Sequence, residues 1–92
     1  MRIGFIGLGN VGGKLAGSLL RNNIPLRVHD LDARLVGDFV ARGAQEGGSP
    51  ATMMRVCNVV ITCLPSPAAS AAVMAEMLPE MGQGKIWMEM ST

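Results

Sequence analysis

Short apolar runs alternate with segments of helical periodicity along the chain. Residues 2–6 form an apolar run that ends at a glycine, which is typical of a buried parallel strand. Val11, Leu15 and Leu19 then recur at helical spacing and predict a helix over about residues 10–22. Alternating apolar and polar residues predict a strand at 26–30, and further short runs predict strands at 44–46, 59–64 and 85–90. Helical spacing and turn residues predict helices between 32 and 43, from 50 to about 57 and from 67 to 79.

Residues at the predicted helix ends support these boundaries. Asp32 and Ser49 stand where an N-terminal cap is needed, and Pro50 takes the first helical position after Ser49. Gly43 ends the second helix, and Pro79 kinks or ends the fourth. Strands that alternate with helices predict a mostly parallel sheet covered on both faces, which is the Rossmann-type doubly wound α/β class.

The length and composition limit the class of protein. The chain has 92 residues, 49% of them hydrophobic and 16% charged, with a net charge of +1, which excludes a solvated disordered chain. Its eight basic and seven acidic residues are scattered singly, so we expect no nucleic-acid partner. No apolar stretch approaches the ~20 residues of a membrane span, and no signal peptide is visible, so we expect a cytoplasmic protein.

Residues that could bind metal or form disulfides are few. The two cysteines, Cys57 and Cys63, lack the partners of a metal signature or a disulfide framework, so we expect two small buried hydrophobes. His29, the single histidine, falls on a predicted strand and is not expected to be a ligand. The eight methionines are interpreted as core filler. The sequence therefore predicts no metal site.

A glycine motif lies between the first predicted strand and the first predicted helix. Residues 7–12 read Gly7-Leu8-Gly9-Asn10-Val11-Gly12, which is the GxGxxG fingerprint of dinucleotide-binding proteins. The first glycine permits the tight turn, the second lets the backbone approach the pyrophosphate, and the third lets helix and strand pack closely. The helix start offers N–H groups and a positive dipole end to the phosphates.

An acidic residue completes the fingerprint at the end of the second predicted strand. Asp30 follows Gly12 by eighteen positions and can accept hydrogen bonds from the adenosine ribose hydroxyls. Asp32 competes for this role, but it is better placed as a helix cap. Because an acid repels the 2′-phosphate of NADP, and because Leu31 rather than a basic residue comes next, we predict NAD as the preferred cofactor over NADP. A flavin is a weaker alternative with the same fingerprint.

Several separate segments resemble the β-hydroxyacid dehydrogenases, a family that includes 3-hydroxyisobutyrate and 6-phosphogluconate dehydrogenases. The segment from Ile3 to Gly12 resembles the N-terminal signature of this family, with Val11 in place of the usual methionine. The similarity continues through residues 25–30 and 58–65. It ends at residues 88–92, where Glu89 replaces the aspartate of an Asp-x-Ser-Thr segment. The resemblance thus covers the whole chain and is strongest to 3-hydroxyisobutyrate dehydrogenase.

The resemblance implies further cofactor contacts and a longer protein. Leu64, Pro65 and Thr92 match positions that contact the cofactor in the family, although Leu64 and Pro65 also fit a plain strand exit. The family often has asparagine where this chain has Ala69, so Ser66 or Ser70 would have to compensate. Residues 1–92 are therefore expected to be an incomplete Rossmann domain without the helical substrate domain that carries the catalytic lysine.

The expected activity follows from this resemblance. The full-length protein would be an oxidoreductase that transfers hydride between NAD and a small 3-hydroxy acid. It would also form a homo-oligomer. This chain alone is expected to contain no catalytic residue, since Lys14 and Lys85 are interpreted as solvated charges. Two alternatives stay open: a non-catalytic dinucleotide-binding or sensor module, and an NADP-dependent imine or 6-phosphogluconate reductase.

Overall fold

A five-stranded parallel sheet with helices on both faces makes up the computed structural model, which describes residues 1–90. The strands are β1 (Ile3–Ile6), β2 (Leu26–His29), β3 (Gln45–Glu46), β4 (Val59–Thr62) and β5 (Ile86–Glu89). The helices are α1 (Asn10–Arg21), α2 (Ala33–Ala41), α3 (Pro50–Val56) and α4 (Pro67–Met77), and a 3-10 turn over Leu78–Glu80 follows α4. The predicted Rossmann-type order is confirmed, and the elements differ from the prediction only at their ends.

The strand order in the sheet is β3-β2-β1-β4-β5. The central strand β1 pairs with β2 on one side and with β4 on the other, so that Phe5 lies between Val28 and Ile61. The chain therefore moves outward from β1 to β3 and then crosses back to β4. Such a reversal opens a crevice at the carboxyl ends of the strands, where doubly wound proteins bind their ligands.

Two apolar clusters fill the space between the sheet and its helices. Consecutive strand residues point to opposite faces, so Phe5 belongs to one cluster and its neighbour Ile6 to the other. The first cluster joins the sheet to α1 and α2 through residues that include Ala16, Val28 and Phe39. The second joins the sheet to α3 and α4, mainly through methionines. Both faces of β1 are thus buried, which fixes the position of the loop that follows it.

The predicted helix caps at Asp32 and Ser49 are confirmed. The Asp32 carboxylate accepts a hydrogen bond from the backbone N–H of Arg34 at 2.9 Å, and the Ser49 hydroxyl accepts one from Thr52 at 3.2 Å. Each satisfies a backbone donor that an uncapped helix start leaves without a partner.

Two interpretations of apolar residues were partly wrong. The sequence pattern places Ala69, Ala72, Val73 and Met77 on the apolar side of α4, yet Ala72 is exposed, because α4 is apolar around most of its circumference and its composition does not define a buried face. Only some methionines fill the core. Three are fully buried, whereas five lie at the surface: Met53, Met54 and Met77 are buried, and Met1, Met74, Met81, Met88 and Met90 are exposed.

Lys85 is not the solvated charge that the sequence suggested. Its Nζ donates hydrogen bonds to the backbone carbonyl oxygens of Arg55 and Cys57, both at 2.8 Å. These carbonyls belong to the C-terminal end of α3, where backbone acceptors lack partners within the helix and where a positive charge is favourable. The ammonium group therefore caps α3 from the start of β5, a contact that connects residues distant in sequence.

Lys85→Met is expected to lower the free energy of unfolding by about 1–2 kcal/mol, because two carbonyls at the end of α3, one of them in a partly buried contact, lose a charged donor. Urea unfolding followed by circular dichroism would measure the change. Lys14→Met provides the matched control, since Lys14 is exposed on α1 and its replacement should stay within about 0.5 kcal/mol of the original chain. Equal stability of the two variants would contradict the capping role of Lys85.

Neither a membrane span nor a metal cluster is visible in residues 1–90. Across this range no helix combines the length and the apolar character required to cross a bilayer. The same residues contain no group of three or more His, Cys, Asp or Glu side chains arranged to hold a metal ion.

Candidate functional site

The loop between β1 and α1 requires glycine at two positions for steric reasons. Gly7 has a φ of +101°, and a Cβ there would collide with the carbonyl oxygen of Cys63. Gly12 lies in the first turn of α1, where a Cβ would collide with the carbonyl oxygen of Gly7. These two glycines let β1, α1 and the end of β4 approach one another closely.

Gly9 has a different environment from the other two glycines of the motif. No atom lies within 4 Å of the position where its Cβ would be, and the residue is exposed. It is the N-cap of α1, makes no side-chain cap, and is followed by no acidic residue in the first helical turn. Asn10 and Val11 are exposed as well. The positive end of α1 is therefore open to solvent beside a residue without a side chain, as anion binding requires.

Asp30 lies directly after β2, at the same edge of the sheet as the glycine loop. Its Oδ2 accepts a hydrogen bond from the backbone N–H of Leu8 at 2.8 Å, and its Oδ1 accepts one from the N–H of Asp32 at 2.9 Å. The side chain of Leu8 is only 2% exposed, so it packs in the core while its backbone contacts the acid. The carboxylate thus connects the loop after β1 with the loop after β2.

The residues that follow Asp30 determine the charge of the segment between β2 and α2. Leu31 is 97% exposed, an unusual environment for a leucine. The guanidinium of Arg34 lies 3.6 Å from the Asp32 carboxylate, but its side chain is 91% exposed, so this ion pair contributes little to stability. Asp32 acts as the helix cap, which leaves Asp30 as the acid that faces the glycine loop.

The segment after β4 lies against the glycine loop from the other side. A Cβ built on Gly7 would lie 3.3 Å from Cδ2 of Leu64, and Pro65 next to it is exposed. The Ser66 hydroxyl accepts a hydrogen bond from the N–H of Ala69 at 3.1 Å and so caps α4, while its O–H is still able to donate. Thr92, also predicted to contact the cofactor, lies outside the described residues.

The two cysteines differ in their surroundings. Cys57 is fully buried, and this burial raises the pKa of its thiol, an effect that the positive charges of Arg27, Lys85 and Arg2 partly oppose. Cys57 is thus the small buried hydrophobe that the sequence predicts. Cys63 is only partly buried, so the prediction of a buried residue is wrong for it. Its Cβ lies 3.3 Å from a Cβ built on Gly12, and it forms part of the wall behind the glycine loop.

Known proteins with the same arrangement identify the family. Residues 2–92 match the family described as the NAD binding domain of 6-phosphogluconate dehydrogenase. The chain belongs to this family. The predicted resemblance to the β-hydroxyacid dehydrogenases is therefore confirmed for this NAD-binding domain.

Three relatives show that this chain matches only part of longer proteins. The mitochondrial 3-hydroxyisobutyrate dehydrogenase of Rattus norvegicus is 32% identical over 98% of this chain and 28% of its own length. The cytokine-like nuclear factor N-PAC of Danio rerio is 31% identical over 99% of this chain and 20% of its own. A solved structure of Psf3 in complex with NADP+ and 2-OPP aligns with a TM-score of 0.85 and 27% identity, over 98% of this chain and 33% of that one. The chain thus spans a third or less of these proteins.

Two contacts of the NAD-binding domain were missed by sequence reasoning. The hydrogen bond between Leu8 and Asp30 joins residues 22 positions apart, and the contact of Cys63 with Gly7 and Gly12 crosses between strands. No local pattern signals either of them. The position of Asp30 after a strand adjacent to β1 was the one available hint, because residues at the carboxyl ends of neighbouring parallel strands lie close together.

Proposed function

We propose that this chain is the NAD-binding part of an oxidoreductase that transfers hydride between a nicotinamide cofactor and a small 3-hydroxy acid. The proposal rests mainly on one observation. The open N-terminus of α1 at Gly9 and the carboxylate of Asp30 follow adjacent strands and are joined through Leu8. Together they would supply a phosphate site and a ribose site at the ends of neighbouring strands, as in dinucleotide-binding proteins.

The pyrophosphate would bind at the start of α1. Backbone N–H groups of the first helical turn and the helix dipole both favour an anion there, and Gly9 leaves room for its approach. Asn10 and Val11 would contact the phosphates through their backbone, while Gly7 and Gly12 hold the loop against β4. When bound, the nicotinamide would supply or accept the hydride, and the residues of this chain would bind and orient the cofactor.

The adenosine half would lie at Asp30. A carboxylate offers about four acceptor positions, so the two N–H groups that Asp30 already binds leave capacity for the ribose hydroxyls. The exposed Leu31 would contact the adenine ring, and Leu64 with Pro65 would line the cofactor from the β4 side. A negative charge at Asp30 disfavours a 2′-phosphate, which supports a preference for NAD over NADP.

Calorimetric titration with NAD+ and, in parallel, with NADP+ tests this assignment. We expect saturable binding with a preference for NAD+ of about tenfold, equivalent to about 1.4 kcal/mol. Asp30→Ala should reduce that preference, because it removes the charge that repels the 2′-phosphate. A preference for NADP+ in the unaltered chain would contradict the role given to Asp30, and a folded sample that binds neither cofactor would contradict the proposed site.

The substrate and the catalytic step belong to the full-length protein. The rat relative is named a 3-hydroxyisobutyrate dehydrogenase, which supports a small 3-hydroxy acid as substrate. We propose that this chain alone is inactive. Within residues 1–90, Lys85 binds backbone carbonyls on α3 and Lys14 is exposed on α1, so neither is proposed as a catalytic base. Homo-oligomerisation, a cytoplasmic location and the absence of a nucleic-acid partner stay predictions.

Two other functions have specific support. Psf3 is described in complex with NADP+, so an NADP-dependent reductase is the alternative that the parallel titration would reveal. The zebrafish relative is named a nuclear factor rather than a dehydrogenase, which supports a non-catalytic dinucleotide-binding module. A full-length protein that binds NAD+ but oxidises no small 3-hydroxy acid would favour this second function.

A further inference from the structure

The carboxylate of Asp30 contacts the glycine loop directly, through a hydrogen bond within the chain. Its Oδ2 lies 2.8 Å from the backbone nitrogen of Leu8, the residue between Gly7 and Gly9. Its Oδ1 lies 2.9 Å from the nitrogen of Asp32 and so anchors the carboxylate on the β2 side. Hydrogen bonds to an ionised acceptor are stronger than those between neutral groups.

The loop is a segment that needs such an anchor. Gly7 and Gly9 flank Leu8, and glycine loses more conformational freedom on ordering than any other residue. The N–H of Gly7 is held by the carbonyl of His29 at 3.0 Å, so the backbone of β2 fixes the start of the loop. The next N–H, that of Leu8, is held by Asp30, and the residue after it is the N-cap of α1.

We propose that Asp30 is a positioning residue for the phosphate loop, in addition to its role at the adenosine ribose. By holding the N–H of Leu8, the carboxylate directs that group away from the phosphates and fixes the place where α1 begins. Asp30 then contributes to pyrophosphate binding through the loop. This inference rests on the proposed function, because it assumes that the start of α1 binds the pyrophosphate.

Two ligands separate the two roles. ADP carries the pyrophosphate and the ribose hydroxyls, whereas 2′,3′-dideoxy-ADP carries the pyrophosphate without them. If Asp30 acts only on the ribose, Asp30→Ala should leave the affinity for the dideoxy ligand unchanged. If it positions the loop, we expect that affinity to fall by about 5- to 10-fold, with a larger loss for ADP. An unchanged affinity for the dideoxy ligand would overturn the proposal.

Amide hydrogen exchange tests the same contact without any ligand. In Asp30→Ala, the exchange rate of the Leu8 amide is expected to rise about 10-fold or more, while the Gly7 amide, bonded to His29, stays protected. A merely destabilised fold would raise both rates together. An unchanged Leu8 rate, or an equal rise at Gly7, would overturn the positioning role.

Asp32→Ala is the matched control for both experiments. Asp32 is also an acid in the segment between β2 and α2, but its carboxylate caps α2 through the N–H of Arg34, whereas the N–H of Leu8 is bound by Asp30. Its replacement should disturb the start of α2 and leave the Leu8 amide and the dideoxy affinity unchanged. Failure of the unaltered chain to bind ADP or NAD+ would remove the proposed function, whereas the exchange measurement tests the Asp30–Leu8 contact separately.

Discussion

Gly12→Ala is expected to lower the free energy of unfolding by about 2–3 kcal/mol, one of the largest effects available to a single methyl group in this chain. The added Cβ would collide with the carbonyl oxygen of Gly7, which is backbone and cannot rotate away. For a domain of this size the change corresponds to a fall in melting temperature of about 10–20 °C. Thermal unfolding by circular dichroism or calorimetry would measure it.

Gly37→Ala is the matched control for this substitution. Gly37 lies in α2, and no atom is within 4 Å of the place where its Cβ would be. Both substitutions replace a helical glycine by alanine, which by propensity alone stabilises a helix by about 1 kcal/mol. The control should therefore gain stability while Gly12→Ala loses it. If both variants gained equally, the close contact between α1 and the glycine loop would be wrong.

Gly9→Ala is expected to have a different profile, with a loss of stability of no more than about 1 kcal/mol, because alanine is a poorer N-cap than glycine, and with dinucleotide affinity reduced about 10- to 100-fold. Its Cβ would meet no atom of the protein, and its φ of −70° is one that alanine adopts readily. The methyl group would instead occupy the space through which the pyrophosphate approaches the helix start. Calorimetric titration with NAD+ would measure the loss.

The Gly37→Ala variant again serves as the comparison, since its substitution is distant in sequence from the glycine loop and should bind NAD+ as the original chain does. Full binding by Gly9→Ala would show that the cofactor does not approach the backbone at this residue. A large loss of stability in Gly9→Ala would instead show that the loop packs more tightly than the open surroundings of Gly9 indicate.

The amino-acid sequence was sufficient for most of the architecture. Apolar runs predicted the central strands β1 and β4, because a strand buried on both faces is apolar throughout, and alternation of apolar and polar residues predicted β2. Helical spacing and capping residues such as Asp32 and Ser49 predicted where helices begin, because those signals act within a few residues. Errors occurred where local pattern is uninformative, as on α4, whose alanine-rich surface gives no preferred side.

The sequence likewise predicted one part of the candidate site and left another part to the structure. The spacing of Gly7, Gly9 and Gly12, with Asp30 after the next strand, predicted a dinucleotide site, because each position meets a requirement of the local backbone. The different tasks of the three glycines could not be read from spacing. Only the packing of β4 and α1 against the loop shows that Gly7 and Gly12 avoid collisions while Gly9 faces open space.

The sequence by itself thus determined the order of elements, the fold class and the family, since these depend on periodicity, caps and short motifs. Tertiary structure alone decided which contacts join distant segments: the carboxylate of Asp30 on the N–H of Leu8, and the ammonium of Lys85 on the end of α3. The physical reason is that such contacts depend on how strands far apart in the chain lie side by side. The sequence therefore does not distinguish a charged side chain that is exposed to water from one that binds the backbone.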